Sequence, residues 1–332
     1  MKRIVFLIGL ILVLSSTFVY GQENTVEAKS GEKETDWVNK YGDAFNKGDF
    51  QGMLEAGGHV RYQKIDDASL ERLLKIAKDK TKTKEDDIQI RCMTIEILGY
   101  LKLKNEKVFE QLKNIAEDKD ELLTIRKFAF QQMGGAGKDE KIFNYLISKL
   151  NDPNPDIREA AISRLGEPGN IKAGVYLMPF LSEGDAKIKN AAIVSLGTIG
   201  YKEATDVIIK NLYDEETIGS AIFALQKMHD EKAIEPLIGI LLDKNKTDSV
   251  YFMVTRALAD YKDERVADAL IKVLNEGGFR SINAAEALGE MGNLRATEAI
   301  KNAIVKETDP FALKKYKEAY KKITGKDYVG QK

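Results

Sequence analysis

Residues 156–181 read DIREAAISRLGEPGNIKAGVYLMPFL, a stretch that contains every part of one helical hairpin. The first helix carries the paired alanines Ala160 and Ala161 and is followed by the step Leu165-Gly166 and a short turn; a more apolar second helix comes next. Alanine side chains allow a neighbouring backbone to approach, and glycine is the residue that most easily adopts the left-handed conformation of a helix cap. We therefore expect Gly166 to cap the first helix, and the hairpin to pack against similar hairpins.

The apolar residue of this step recurs along the chain at nearly regular intervals. From residue 98 to residue 288 there are 190 residues in six intervals, a mean of about 32. A period of this length is typical of solenoids, and no segment shows the sustained alternation of a β-strand. The sequence predicts an all-α fold, a right-handed α-solenoid of about seven to eight helical hairpins. The recurring residues are Leu98, Met133, Leu165, Leu196, Leu225, Leu258 and Leu288.

The hairpin of residues 156–181 resembles the HEAT-like repeat of phycobilisome lyases. The matching features are an arginine that opens the first helix, the paired alanines, the Leu-Gly step and the apolar second helix. The resemblance covers roughly residues 87–328 and implies hairpins of the HEAT type. The arginine position is filled by Arg91, Arg126 and Arg158, and then by Lys189, Gly219 and Val254.

The first 21 residues have the composition of a secretory signal peptide. Lys2 and Arg3 precede an apolar run over residues 4–14, and small or branched residues lead to a cleavage position before Gln22. We expect export to the periplasm or the medium, with an uncleaved N-terminal membrane anchor as the alternative. No membrane span is expected in the mature chain. Residues 22–35 are polar and are predicted to form a flexible tether.

The rest of the chain divides into a solenoid and its two caps. We expect an N-terminal helical cap over residues 36–86, with helices at 36–56 and 68–80, then HEAT-type hairpins over residues 87–310. Residues 311–332 are expected to form a C-terminal capping helix and tail. The apolar residues expected to pack in the N-terminal cap are Trp37, Tyr41, Phe45, Phe50 and Leu54.

Composition argues against catalysis and against nucleic acid as a partner. The chain has 51 basic and 52 acidic residues, so its charge offers no attraction for a phosphate backbone. Its two histidines, His59 and His229, are far apart, and Cys92 is the single cysteine, which leaves no ligand set for a metal. We expect no enzyme and no cofactor, and Cys92 is predicted to be a buried, inert thiol.

Two of the repeat arginines have an acidic residue close by in sequence. Asp87 precedes Arg91 by four residues and Asp152 precedes Arg158 by six. We expect each acid to pair with its arginine and to form one rung of a structural ladder.

Residues on the second helices predict where a partner binds, since these helices line the concave side of such an array. On each second helix, the residue two positions before the buried apolar residue belongs to a first, largely acidic column. The residue two positions after it belongs to a second column. We expect Asp206 to pair with Lys210, and Asp268 with Lys272. The first column is Glu110, Asn144, Val175, Asp206, Glu235, Asp268 and Glu298. The second is Asn114, Ser148, Pro179, Lys210, Gly239, Lys272 and Asn302.

Tyr145 and Tyr176 occupy equivalent positions in consecutive second helices, with Phe180 one turn further on. They either anchor a protein partner or fill gaps between helices. The sequence predicts an exported, non-enzymatic scaffold or adaptor that binds a protein or peptide in the cell envelope. The alternatives are a regulatory or accessory subunit of an envelope enzyme and, less favoured, a lyase-like enzyme. The candidate partner-binding residues are Tyr145, Tyr176, Phe180, Asn144, Asp206, Lys210, Glu235 and Asp268.

Overall fold

Helices account for all of the regular secondary structure in the part of the chain that the structure describes. The computed structural model describes residues 37–47, 49–60, 66–81, 84–101, 106–135 and 139–329. Eighteen α-helices and six short 3-10 helices follow one another in these ranges. The expected signal peptide at 1–21, the tether at 22–35 and the last three residues of the tail lie outside them.

Seven consecutive hairpins form the central part of the chain, and a final helix, α18, follows them. Their first helices are α4 (Glu85–Leu101), α6 (Leu123–Gln131), α8 (Pro155–Leu165), α10 (Ala186–Thr198), α12 (Ile218–Met228), α14 (Asp248–Tyr261) and α16 (Phe279–Met291). Their second helices contain α5 (Glu106–Glu117), α7 (Glu140–Ser148), α9 (Gly174–Leu177), α11 (Thr205–Lys210), α13 (Ile234–Leu242), α15 (Glu264–Glu276) and α17 (Thr297–Lys306). The final helix is Pro310–Thr324.

Several second helices are extended by 3-10 turns. These turns flank α9 and α11 on both sides and precede α13 and α17. Proline, which has no backbone donor, stands near the start of the turn that follows α9. The 3-10 segments are Ile171–Ala173, Met178–Ser182, Lys202–Ala204, Asn211–Tyr213, Glu231–Ala233 and Leu294–Ala296.

The hairpins stack so that each first helix contacts the first helix of the next hairpin, from α4 through to α18. The second helices α13, α15 and α17 likewise contact one another in order. Two layers of helices result, and the predicted all-α solenoid is confirmed. All seven apolar residues of the recurring step are fully buried between the layers. A buried leucine of this kind contributes about 1.5–3 kcal/mol through the hydrophobic effect.

Three helices precede the seven hairpins: α1 (Trp37–Lys47), α2 (Phe50–Val60) and α3 (Asp67–Ala77). The single helix predicted over residues 36–56 is wrong, because the chain starts a new helix at Phe50. The Asp49 carboxylate accepts a hydrogen bond of 2.9 Å from the Gly52 amide and so caps that helix. Helix α2 contacts α4 as one first helix contacts the next. Helix α3 packs on α4 as a second helix packs on the first helix that follows it. The repeat pattern therefore begins inside the predicted cap.

Aromatic residues hold both ends of the compact unit that runs from Val38 to Lys332. Tyr41 is fully buried, and its hydroxyl shares a hydrogen bond of 2.9 Å with Thr94. At the other end Tyr316 is buried, and its hydroxyl shares one of 2.6 Å with Ser281. Phe45 is half-buried. Of the other expected cap residues, Trp37 is half-buried at the start of α1, and the side chains of Phe50 and Leu54 lie outside the described residues.

The glycines of the Leu-Gly step do not adopt the left-handed cap conformation that we expected, although Gly166 does stand at the C-cap of α8. Gly166 has an ordinary φ of −77°, and Gly197 lies inside α10. A methyl group at Gly166 would come within 2.6 Å of the Ser195 Cα atom, and one at Gly197 within 2.6 Å of the Ala224 Cβ atom. These glycines instead allow neighbouring first helices to approach closely.

Candidate functional site on the second-helix face

The arginine that opens the first helix has a structural role at Arg91. This side chain is fully buried; its Nε donates a hydrogen bond of 3.1 Å to the Ala77 carbonyl, and its guanidinium pairs with the buried Glu121 carboxylate. The predicted rung between Asp87 and Arg91 is therefore wrong. The last carbonyls of a helix lack partners within that helix, and Ala77 ends α3 beside this arginine.

Arg126 and Arg158 bind backbone carbonyls in the same way. The Arg126 Nε donates to the Ala116 carbonyl at 2.9 Å, near the end of α5. The Arg158 guanidinium donates to the backbone carbonyl of Asp152 at 3.0 Å, not to its carboxylate as predicted. The repeat arginines thus donate to backbone carbonyls at the end of the preceding helix or in the turn that follows it.

The predicted columns lie on one exposed surface, which we call the second-helix face. Every residue of both columns is exposed, while the apolar positions between them are fully buried. The periodicity of one buried stripe therefore predicted correctly that the residues of the two columns are exposed. The buried positions are Leu112, Leu146, Leu177, Ile208, Leu237, Leu270 and Ile300.

Three acidic residues of the first column pair with basic residues of the next hairpin. The predicted pairs within one helix, Asp206 with Lys210 and Asp268 with Lys272, are wrong. The basic partner lies in the first turn of the following second helix, which the stacking brings beside the acid. We call this series the ion-pair ladder; it consists of Asp206–Lys232 at 3.1 Å, Glu235–Arg265 at 3.2 Å and Asp268–Arg295 at 3.2 Å.

The two tyrosines repeat one packing geometry from hairpin to hairpin. The Tyr145 ring meets Phe109 edge to face at 5.8 Å and 87°, and Tyr176 meets Phe143 at 5.8 Å and 76°. The Tyr145 ring also lies 5.8 Å from Phe130 of the first-helix layer. Tyr145 therefore fills a gap between helices, whereas Tyr176 is 43% exposed.

An apolar patch interrupts the charged surface at the third hairpin. It consists of Ile171, Val175 and Tyr176, which are 51%, 59% and 43% exposed, with the half-buried Phe180 one turn further on. Lys172 stands beside it, paired with Glu140 at 2.6 Å. Asn144, another predicted site residue, is exposed on the preceding hairpin. Sequence reasoning missed Ile171 as part of this patch, although Val175 stands out as the one aliphatic residue in its column.

A cavity of about 220 Å³ lies where the second hairpin meets its neighbours. The Tyr145 hydroxyl is buried there beside the Glu117 carboxylate. The Glu117 carboxylate pairs with the Lys149 ammonium at 2.7 Å. Burial and the nearby Glu117 charge raise the pKa of Tyr145, so the phenol stays protonated. The cavity is lined by Ala116, Glu117, Lys119, Arg126, Phe130, Tyr145, Lys149, Asp152 and Ile157.

Cysteine and histidine often act in catalysis, and Cys92 and His229 lie in or directly after first helices. Burial raises the pKa of the half-buried Cys92 thiol to about 12. His229 ends α12 in the left-handed conformation, with its ring 5.0 Å from Tyr261. Within the described ranges, no group of three or more His, Cys, Asp or Glu residues could hold a metal ion. None of the helices in those ranges is both long and apolar enough for a membrane span.

Comparison with known proteins bears on the repeat and on the fold. The family described as HEAT repeats matches residues 143–219, and the PBS lyase HEAT-like repeat matches residues 282–306. Among curated proteins, no sequence matches this chain.

Solved structures of several helical arrays are similar. Kap121p bound to Nup53p has a TM-score of 0.54 at 12% identity, covering 88% of this chain and 37% of Kap121p. YibA of E. coli has 0.51 at 16% identity, covering 88% of this chain and 99% of that one. The complex of CpcE and CpcF of phycocyanin lyase from Nostoc sp. PCC7120 has 0.43 at 21%, covering 65% and 94%. At such identities, Kap121p and YibA share the fold alone.

Proposed function

Because this chain is a HEAT-repeat protein, we propose that it is an exported, non-enzymatic scaffold whose second-helix face binds a segment of another protein in the cell envelope. The observation that carries the proposal is the apolar patch of Ile171, Val175 and Tyr176 on an otherwise charged face. Exposed aromatic and aliphatic side chains grouped on a rigid surface are typical anchors for a protein partner.

The ion-pair ladder indicates what kind of segment fits this face. Each acid of the ladder has a basic partner, as in the pair of Asp206 with Lys232, so opposite charges alternate along the surface. A face neutralised in this way gives no strong attraction to a highly charged partner. The proposed partner segment is therefore uncharged at its centre and presents an aliphatic or aromatic side chain to Tyr176.

The fold is compatible with this role. Kap121p, which shares the architecture at low identity, was solved in a complex with Nup53p. The ladder carboxylates lie at the surface, where their side chains are 58–70% exposed. A catalytic acid or base more often lies in a cleft that shifts its pKa, so the arrangement favours binding over catalysis.

The test begins with crosslinking of the tagged full chain in its native envelope, followed by purification of each captured protein. A partner supports the proposal when its Kd, measured by calorimetry, rises at least about tenfold for the double variant V175D/Y176A. The matched control is Tyr213→Ala, which removes another exposed tyrosine from the end of the fourth hairpin. Equal binding by the double variant and the unaltered chain contradicts the proposed face.

Salt dependence tests the proposed chemistry of the partner separately. The Kd for a purified partner is expected to change less than about threefold between about 0.05 M and 0.5 M NaCl, because apolar contacts are not screened. A steep weakening with salt would show that charged groups dominate, and it would overturn the uncharged segment.

Export has its own measurement. If the N-terminal segment is a cleaved signal peptide, mass spectrometry of the mature protein gives a chain that starts at Gln22. A mature chain that starts at Met1 contradicts cleavage and favours the N-terminal anchor.

A further inference from the structure

The last helix, α18, and the turn after it differ in charge from the rest of the chain. Residues 310–329 contain six lysines and two acidic residues, a formal charge of +4, whereas the whole chain has a formal charge of −1. The remaining residues therefore carry a charge of −5. A segment whose charge is opposite in sign to that of the rest of its chain is typical of a surface that meets an anionic partner.

The lysines of α18 lie on the half of the helix that faces solvent. The other half is buried against the array through Ala312, Tyr316, Ala319 and Ile323. Four lysines and Phe311 are exposed, and at ~100° per residue they span about 140° of the helix surface. We call this surface the basic terminal face; it consists of Phe311, Lys314, Lys317, Lys321 and Lys322.

Much of the positive charge of this face is not neutralised by the chain itself. Lys314 lies 4.0 Å from Glu318 and Lys321 lies 2.9 Å from Asp327, and both pairs are exposed to solvent. Lys317 and Lys322 form no ion pair within the described residues. Exposed ion pairs are weak, so all four ammonium groups are able to turn towards an external anion. The ion-pair ladder differs in this respect, because each of its acids has a basic partner.

Two exposed phenylalanines stand at the edge of the basic terminal face. Phe311 is 58% exposed and Phe279, the first residue of α16, is 63% exposed. A methyl group at Gly289 would lie 3.0 Å from the Ala319 Cα atom, which gives the register of α16 against α18. Phe279 precedes Gly289 by ten residues and Phe311 precedes Ala319 by eight. At ~1.5 Å per residue the two phenylalanines therefore lie within about 3 Å of the same level along the helices.

From these features we infer that the basic terminal face docks on the surface of an anionic lipid bilayer. Each lysine near such a surface contributes about fivefold in affinity through lipid phosphates, and Phe311 enters the headgroup region. A bilayer offers negative charge over its whole surface and accepts a protruding ring without a pocket, whereas an acidic protein needs carboxylates placed opposite the lysines. The inference does not rest on the binding of a protein segment by the second-helix face.

Lysine labelling of the full chain tests the contact. A neutral N-hydroxysuccinimide ester modifies exposed amines, and mass spectrometry gives the rate at each lysine. At about 0.05 M NaCl, vesicles of about 30% phosphatidylglycerol in phosphatidylcholine should slow labelling of the basic terminal face at least about fivefold. Pure phosphatidylcholine vesicles, or about 0.5 M NaCl, should remove the effect. The internal controls are three exposed lysines on other helices or turns, Lys119, Lys210 and Lys272.

This readout is local, so binding of vesicles by the N-terminal residues does not contribute to it. Unchanged labelling of the basic terminal face with phosphatidylglycerol vesicles overturns the inference. Equal slowing at the three control lysines also overturns it, because the vesicles would then cover the chain without preference for this face.

Two variants separate the part played by charge from that of the aromatic ring. The readout is the lipid concentration that half-protects Lys314, which both variants retain. K317Q/K321Q/K322Q should raise this concentration at least about 50-fold, and the control K119Q/K210Q/K272Q, with the same change in net charge, less than about threefold. Phe311→Ala should raise it about threefold to tenfold. Its control is Phe252→Ala, which removes a phenylalanine that is 50% exposed on α14.

Poly-L-glutamate distinguishes an acidic protein from a lipid surface. If it slows labelling as strongly as the vesicles do at equal charge, and Phe311→Ala leaves vesicle binding unchanged, the face binds carboxylates in general. That result overturns the assignment to a bilayer. Slower labelling with vesicles than with poly-L-glutamate, and sensitivity to Phe311→Ala with vesicles alone, supports it.

Discussion

Replacing Gly197 by alanine tests the close approach of neighbouring first helices. The new methyl group would lie 2.6 Å from the Ala224 Cβ atom and closer still to its Cα atom, in the facing helix α12. The obstacle is backbone and cannot rotate away, so the cost lies in the upper part of the ~1–3 kcal/mol range for overpacking. Alanine regains about 0.5–1 kcal/mol of helix propensity. The expected net loss is therefore about 2 kcal/mol.

Gly239→Ala is the matched control, because its expected effect on the free energy of unfolding has the opposite sign. Gly239 lies inside α13, is exposed, and a methyl group there would meet nothing within 4 Å. This variant should gain about 0.5–1 kcal/mol. The double variant G197A/A224G should recover little, because it removes the Ala224 Cβ atom and leaves the closer Cα atom in place.

The assay is urea unfolding followed by far-ultraviolet circular dichroism, with midpoints and slopes compared at one protein concentration. Hydrogen exchange of the amides in α10 and α12 locates the effect, since a stacked array can open locally. An unchanged or higher urea midpoint for Gly197→Ala would refute the reasoning, because the helices would then have room to separate at no cost.

Three further predictions concern buried or perturbed groups. Arg91→Ala leaves the buried Glu121 carboxylate unpaired and should cost about 3–5 kcal/mol in urea unfolding; R91M/E121Q should cost clearly less. Burial raises the pKa of Glu117, but the hydrogen bond and charge of Lys149, the Tyr145 hydroxyl and the Lys113 charge together outweigh it and hold the pKa below the ordinary 4.5. The stability from this pair is therefore present above about pH 4.5 and is lost as pH falls through the lower folded value. Urea midpoints of Glu117→Gln between about pH 7 and pH 3 should change less with pH than those of the unaltered chain. Burial raises the pKa of Cys92 to about 12, so at about pH 8 its thiol in the folded chain should react with an aromatic disulfide at least ~100-fold more slowly than in the chain unfolded in urea. Comparable rates would contradict the burial of this thiol.

Apolar spacing made most of the fold predictable from the sequence. The stripe from Leu112 to Ile300 is buried at every aligned position, because side chains three and four residues apart share one face of a helix whatever surrounds it. Local spacing also fixed which residues are exposed on the second helices. Asp206 and Glu235 are exposed as predicted.

The errors concern interactions whose partner lies in another hairpin. Arg91 pairs with Glu121, thirty residues further along, although Asp87 stands one turn before it. Gly166 ends its helix as predicted, yet its φ is not left-handed and its small size serves contact with Ser195. No local pattern distinguishes these roles, because the distance between stacked helices decides them.

The candidate site was predictable only in part, for the same reason. Tyr145 and Tyr176 are equivalent in sequence, and their edge-to-face packing is equivalent too. Their exposure differs because Phe130 of the first-helix layer covers one ring. The cavity escaped prediction because Arg126, Tyr145 and Ile157 come from three helices that meet only after stacking.

The arginines that bind the carbonyls of the preceding helix give the array a direction. Arg126 completes the end of α5, and Arg158 completes the turn after α7, so a hairpin is finished by the arrival of its successor. Synthesis runs from the N-terminus, so the carbonyls of each such hairpin lack their arginine donor until the next hairpin has been made.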